Sequence, residues 1–252
     1  MINLSGQHIF IAGGNRGIGA ATSRMAAKAG AAVTVTFHQN REAADFLVNE
    51  INSAGGEALA VKVDLTSEAE TSEAILLAEA KLGPIHGLVA SAGIFEGLAL
   101  SEMPLQFWER TMAQNLRTTF LAVKYGAESM RRGGNGGSIV IITSTAGQRG
   151  SAVFSAYATS KGAQIMFMRS MALELGPDHI RVNAVAPGWT ETDMAKSSLD
   201  AIGRENVIPK VPLGRIGQAD DVAGPILFLI SDLAQFVTGI TLTTDGGMDM
   251  RG

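Results

Sequence analysis

Short apolar runs alternate with longer amphipathic stretches along nearly the whole chain. His8 to Ala12, Val33 to Phe37, Ala58 to Val63, Gly87 to Ala90, Ser138 to Ile142, Arg181 to Val185 and Ile240 to Thr243 read as strands. Between them lie helical patterns, the clearest over Gly17 to Ala29 and Arg41 to Ser53. Strands that are apolar at successive positions are buried on both faces, and strands separated by helices pair in parallel through βαβ crossovers. The pattern therefore predicts one α/β domain over residues 1–252, a doubly wound parallel sheet with helices on both faces. No internal repeat, low-complexity segment or linker divides it. Residues 188–212 form the least regular stretch and are expected to be a mobile lid over a substrate.

Composition narrows the chemistry. With 46% apolar residues, 30 glycines and few aromatics, the chain suits a packed fold whose loops turn tightly around a ligand. Its net charge is −4, and its longest basic run is Arg131-Arg132, so the clustered basic face that nucleic acid requires is missing. Having no cysteine excludes disulfides, thiolate metal sites and cysteine nucleophiles. His8, His38, His86 and His179 show no metal-ligand spacing, and no metal is expected. The opening residues lack a basic start and no apolar run reaches membrane length, so a cytoplasmic protein is expected.

Two segments carry candidate chemistry. Ala12-Gly13-Gly14-Asn15-Arg16-Gly17-Ile18-Gly19 lies between the first strand and the first helix. Glycines there let the backbone approach a pyrophosphate, and the helix N-terminus offers free amides and partial positive charge. The second strand ends Thr36-Phe37-His38-Gln39-Asn40-Arg41, with no carboxylate before Glu42. A carboxylate there would bind ribose hydroxyls and repel a 2′-phosphate. Its absence, with Arg16 in the turn, favours NADP(H) over NAD(H); His38 is a polar strand-end residue within the same set. Further on, Tyr157-Ala-Thr-Ser-Lys161 places a phenol and an ammonium four residues apart on one helix face. A nearby cation favours the phenolate, lowering the pKa of Tyr157 toward working pH. Such a tyrosine can give a proton to a developing alkoxide or take one from an alcohol.

Together these residues resemble the short-chain dehydrogenase/reductase family across essentially the whole chain, with a general likeness to 3-oxoacyl-[acyl-carrier-protein] reductases. The matching pieces are Gly13-x3-Gly17-Ile18-Gly19, Asp64-Leu65, Ser91-Ala92-Gly93, Asn115, Ser144, Tyr157-x3-Lys161, Pro187-Gly188 and Thr244-Asp245-Gly246-Gly247. The resemblance implies a Rossmann-type sheet of about seven strands and a homotetramer built through long central helices. It implies Tyr157 as general acid/base, Lys161 as its tuning cation and a ribose contact, and Ser144 as the hydrogen-bond donor to the substrate oxygen. Asn115 would hold a water in the proton relay. Asp64 would contact adenine and Pro187-Gly188 the nicotinamide region, with Thr190 beside them. Ser144 is read as the end of a buried strand and Tyr157 as the start of the next helix.

The chain departs from the family pattern twice. Ala12 stands where a threonine often braces the glycine turn, and Ser91 stands where the Asn-Ala-Gly turn usually has asparagine. Both changes touch support of the cofactor pocket, not the reacting groups. Leu173 stands where carrier-protein reductases tend to carry an arginine, leaving Arg131 and Arg132 as the remaining candidates for such a patch. Phe95, Phe154, Trp189, Met194 and Leu199 suit a small or medium ketone with an apolar portion. An NAD-dependent alcohol or sugar dehydrogenase of the same family would share every catalytic residue. A non-catalytic dinucleotide sensor is the alternative of a different class.

Overall fold

A computed structural model describes residues 2–250. In chain order its regular elements open with β1 (His8–Ala12), α1 (Gly17–Lys28), β2 (Ala32–Phe37), α2 (Arg41–Ser53), β3 (Glu57–Lys62), α3 (Glu68–Leu82) and β4 (Gly87–Ala90). Then come α4 (Leu105–Met112), a π turn at Ala113–Arg117, α5 (Thr118–Gly133), β5 (Gly137–Ile142), α6 (Thr145–Arg149) and α7 (Ser155–Leu175). The chain closes with β6 (Ile180–Pro187), β7 (Thr190–Glu191), α8 (Asp193–Ile202), α9 (Arg204–Val207), β8 (Gly217–Gln218), α10 (Ala219–Ile230) and β9 (Thr241–Thr244). Among the described residues seven strands form one parallel sheet, in the order β3-β2-β1-β4-β5-β6-β9. The fold is the Rossmann-type doubly wound sheet that the alternating pattern predicts.

The two-residue period of a strand divides its side chains between two cores. Phe10, Leu88, Ala90, Ile139, Ile141 and Val182 face a cluster with residues of α3, α5 and α7. Ile9, Ile11, Val89, Val140, Ile142 and Val185 face the opposite cluster, with α1, α2 and α10. Because β1 is flanked by β2 on one side and β4 on the other, successive crossovers run in opposite directions from it. A crevice opens at that switch point, beyond the carboxyl ends of the strands, and open α/β sheets bind ligands there.

The stretch 188–212 differs from the irregular lid expected of it. β7 pairs with β8, and α8 and α9 follow. Thr192 caps α8 by accepting from Ala195 N, and Arg204 ties the segment down through Glu191 at 2.7 Å and Asp200 at 2.6 Å. Leu199 packs inward on Val207 and Ile216, so it props up the lid and does not meet a substrate.

Candidate active site

At the crevice lies a cavity of about 910 Å³, and nearly all the residues marked by the sequence converge on it. Its lining includes Gly13, Asn15, Arg16, Gly17 and Ile18 from the glycine turn, and His38, Asp64 and Leu65 from the ends of β2 and β3. Ser91, Ala92 and Gly93 follow β4; Ser144, Tyr157 and Lys161 come from the β5–α7 region, and Pro187, Gly188 and Thr190 from the end of β6 and β7. Gly19 and Asn115 stand behind this surface.

The glycine turn is built for close approach. Gly13 has φ +80° and passes so near Ala92 that a Cβ would sit 2.8 Å from that residue's Cα. At Gly19 a Cβ would collide with the Gly13 carbonyl oxygen. Arg16 occupies the N-cap of α1 without a side-chain cap, and no acidic residue occupies the first turn, so the leading amides of α1 are open to a ligand in the cavity. Open amides, a helix N-terminus and glycines at the point of closest approach fit the pyrophosphate of a dinucleotide.

The brace absent at Ala12 comes from another strand. Thr36 Oγ1 accepts from Gly13 N at 2.8 Å and donates to the Ile11 carbonyl at 3.2 Å, while Gly14 N reaches the Thr36 carbonyl at 3.1 Å. Threonines buried inside the otherwise apolar Ala32-Val-Thr-Val-Thr-Phe37 were the available signal for this role. Asp64 does not cap α3, because Ser67 takes that position. Burial raises the Asp64 pKa, but the backbone and hydroxyl of Thr66 donate to its carboxylate and hold it below the usual range overall.

Ser144 lies just past β5, where it caps α6 through Ala146 N at 3.1 Å; β5 itself stops at Ile142. Its hydroxyl lines the cavity with the Tyr157 phenol and acts to lower that phenol's pKa. Lys161 is buried on the same face of α7, with Nζ donating to the Ile142 carbonyl at 2.8 Å and lying 5.7 Å from the centroid of the Tyr157 ring. The expected depression of the tyrosine does not appear. Burial pushes the Tyr157 phenol up to about 12, against the opposing pull of Ser144, and burial pushes the Lys161 ammonium down to about 7. Desolvation penalises both charges, so in this site it outweighs their proximity.

That pair makes stability depend on pH in a defined direction. Between pH 7 and pH 10 the unfolded chain holds a proton on Lys161 that the folded protein has released. Stability therefore rises across that window, by at most about 1.4 kcal/mol per pH unit. Above pH 10 the sign reverses, because the unfolded chain loses the Tyr157 proton before the folded one does. The melting temperature of the cofactor-free protein should be higher at about pH 9 than at about pH 7. In Lys161→Met the rise should flatten; an unchanged slope would show that Lys161 is not its source.

Asn115 is fully buried in the π turn. Its Oδ1 accepts from Ile94 N at 2.7 Å and its Nδ2 donates to Ser160 Oγ at 2.9 Å. Its main-chain carbonyl accepts from Thr119 Oγ1 and from Gln164 Nε2, each at 2.9 Å. Ser160 and Gln164 thus clamp Asn115 from α7, two roles not anticipated from sequence. Gln164 shares the helix face of Tyr157 and Lys161, and that spacing was its only signal.

An aromatic wall covers Tyr157. The Phe95 ring stacks on Phe154 at 4.6 Å and 6°, and meets Tyr157 edge-on at 4.8 Å and Trp189 edge-on at 5.8 Å. Met194 also lines the cavity. A carrier-protein docking patch finds little support elsewhere: Arg131 is paired with Asp178 and Arg132 with Glu79, and Leu173 is exposed. His8, buried with Nε2 against Thr34 Oγ1 and Nδ1 against the Gly83 carbonyl, is a core residue whose burial lowers its pKa. Among the described residues no group of side chains could hold a metal ion, and no helix is long and apolar enough to cross a membrane.

Comparison with known proteins agrees with this geometry. The family model described as enoyl-(acyl carrier protein) reductase matches residues 12–249. L-rhamnose 1-dehydrogenase (NAD(P)(+)) of Azotobacter vinelandii is 37% identical over 244 residues, spanning 95% of each chain. The 3-oxoacyl-[acyl-carrier-protein] reductase of a Synechocystis species is 37% identical over 99% of this chain and 100% of that protein. A solved structure of 7 alpha-hydroxysteroid dehydrogenase, complexed with NADH and 7-oxo glycochenodeoxycholic acid, superimposes with a TM-score of 0.93. It is 37% identical and covers 97% of this chain and 95% of its own. The chain belongs to the short-chain dehydrogenase/reductase family and is an NAD(P)-dependent oxidoreductase acting on CH–OH groups.

Proposed function

We propose that this chain is an NADPH-dependent carbonyl reductase, reversible as an alcohol dehydrogenase, with Tyr157 as general acid/base. The observation that carries the reading is the convergence of Tyr157, Ser144 and Lys161 on the cavity, the phenol and the ammonium on one face of α7. The hydride is the contribution of the bound nicotinamide. The glycine turn and the N-terminus of α1 would hold the pyrophosphate, and Lys161 the nicotinamide ribose. Ser144 would donate a hydrogen bond to the substrate carbonyl oxygen, and Tyr157 would give that oxygen its proton as the carbonyl becomes an alcohol. A phenol pushed up to about 12 is protonated at neutral pH, which suits it to the reductive direction. Lys161, near neutrality, can return a proton to the tyrosine, with Asn115 supporting the relay. Phe95, Phe154, Trp189 and Met194 would take the apolar part of a small or medium ketone. A homotetramer is the proposed assembly, through α5 and α7, which expose Phe120, Met166 and Leu173.

The NADPH preference rests on the end of β2. His38, Gln39 and Asn40 line the cavity there without a carboxylate. Arg16 lines it too, and no ion pair within the described residues occupies its guanidinium. Arg41 is tied to Asp45 at 3.1 Å instead. A second reading, an NAD-dependent alcohol or sugar dehydrogenase, is favoured by the NADH in the hydroxysteroid dehydrogenase complex and by the rhamnose dehydrogenase relative. Measuring kcat/KM with each reduced cofactor separates the two. The wild-type protein should prefer NADPH by about tenfold or more, and Arg16→Ala should lose most of that preference, as expected for one charge-assisted contact. Preference for NADH would establish the second reading.

A further inference from the structure

The substrate end of the cavity holds a cation that the proposed chemistry does not use. Arg149 is the last residue of α6, the single helical turn capped by Ser144. The turn is fastened at the far side of the sheet, since the neighbouring Gln148 donates from Nε2 to Thr243 Oγ1 of β9 at 3.1 Å. Arg149 therefore follows a residue tied to β9, at the opposite edge of the sheet from the β2 end where Arg16 and His38 stand, and it lines the same cavity. Two arginines line this region, and they differ. Arg110 is held by both carboxylate oxygens of Glu96. Arg149 has one ionic contact, Nε to Asp249 Oδ2 at 3.5 Å, whereas every other ion pair among the described residues is 3.1 Å or shorter. Its guanidinium makes no hydrogen bond within the described residues, leaving donors free.

The surrounding wall is apolar, and its backbone is strained. Phe154 is preceded by Val153, which has φ 68°, a left-handed conformation that a β-branched residue rarely adopts. The Val153 carbonyl accepts from Leu98 N at 2.8 Å, and the Phe154 ring crowds Gly97 so closely that a Cβ there would lie 2.7 Å from it. Strain of this kind persists where the surrounding structure over-determines it, and it concentrates at ligand sites. On the lid side the lining carboxylate is Asp193, exposed in the first turn of α8.

We propose that Arg149 anchors a carboxylate on the substrate, so that the enzyme acts on oxo-acids with an apolar body, and on the matching hydroxy acids. The inference rests on the carbonyl-reductase reading and names its substrate class. An arginine fork with free donors matches a carboxylate in two parallel hydrogen bonds, and the aromatic wall takes the ring or chain between that carboxylate and the carbonyl facing Tyr157.

The test is a matched pair, a six-membered ring ketone bearing a carboxylate and its uncharged methyl ester, reduced by the wild-type protein, Arg149→Gln and Arg149→Lys. The wild type should favour the acid in kcat/KM by about tenfold or more. Arg149→Gln should erase that preference chiefly through KM of the acid, and Arg149→Lys should restore part of it. A wild-type protein that reduces the ester as well as or better than the acid overturns the anchor while leaving the reductase intact. An acid preference that survives in Arg149→Gln overturns the anchor in the same way. No turnover of either compound, or of simple uncharged ketones, with either reduced cofactor overturns the reductase reading and this inference together.

Discussion

Tyr157→Phe is expected to lower kcat by about a hundredfold to ten-thousandfold, the range that a positioned general acid contributes. Cofactor affinity should change by less than about threefold, because the substitution removes only a hydroxyl and leaves the ring in place. The phenol is buried beside Ser144 on the cavity, and its ring packs edge-on against Phe95 at 4.8 Å. Phenylalanine keeps that packing and loses the proton. Steady-state kinetics alongside a cofactor-binding titration would check the split. Retained turnover would remove Tyr157 from the chemistry, and lost cofactor binding would show that the substitution acted through the pocket instead.

Gly19→Ala should produce the second large effect, on binding and folding together. The new Cβ would collide with the Gly13 carbonyl oxygen and sit 3.0 Å from Gly14 Cα, both backbone atoms of the phosphate turn. No flexible side chain can move aside, so the turn itself must shift. The cost should be about 1–3 kcal/mol of stability, as for other overpacked sites. Dinucleotide affinity should fall as well, because the displaced atoms shape the approach to the pyrophosphate. Lys28→Ala, exposed at the end of the same helix, is the control, and its stability should stay within about 0.5 kcal/mol. Denaturant melts and a binding titration on both variants would decide. Equal behaviour of the two would refute the close approach as the reason for glycine at position 19.

The strands were legible because burial on both faces leaves unbroken apolar runs. β1 and β4 match their expected bounds, as does α2, whose buried Ala44, Leu47 and Ile51 repeat at helical spacing. β6 runs on to Pro187, beyond the expected Val185, carrying its end into the site. The lid was illegible because α8 and α9 are short, and what closes them is Arg204 reaching Glu191 across 13 positions. The protonation of the Tyr157–Lys161 pair could not be read from spacing either. Proximity of the two groups follows from a helix, but the burial that dominates the phenol includes Phe95, which arrives edge-on from the segment after β4. The same holds for Thr36, whose brace on the glycine turn becomes visible only when β2 lies beside β1.

The most direct test of the central claim is the rate of reduced-cofactor oxidation by the wild-type protein over a panel of ketones, with NADPH and NADH in parallel. Turnover is expected, faster with NADPH, on ketones that carry an apolar portion. Tight dinucleotide binding with no turnover of any ketone would contradict the reductase and leave a nucleotide sensor in its place.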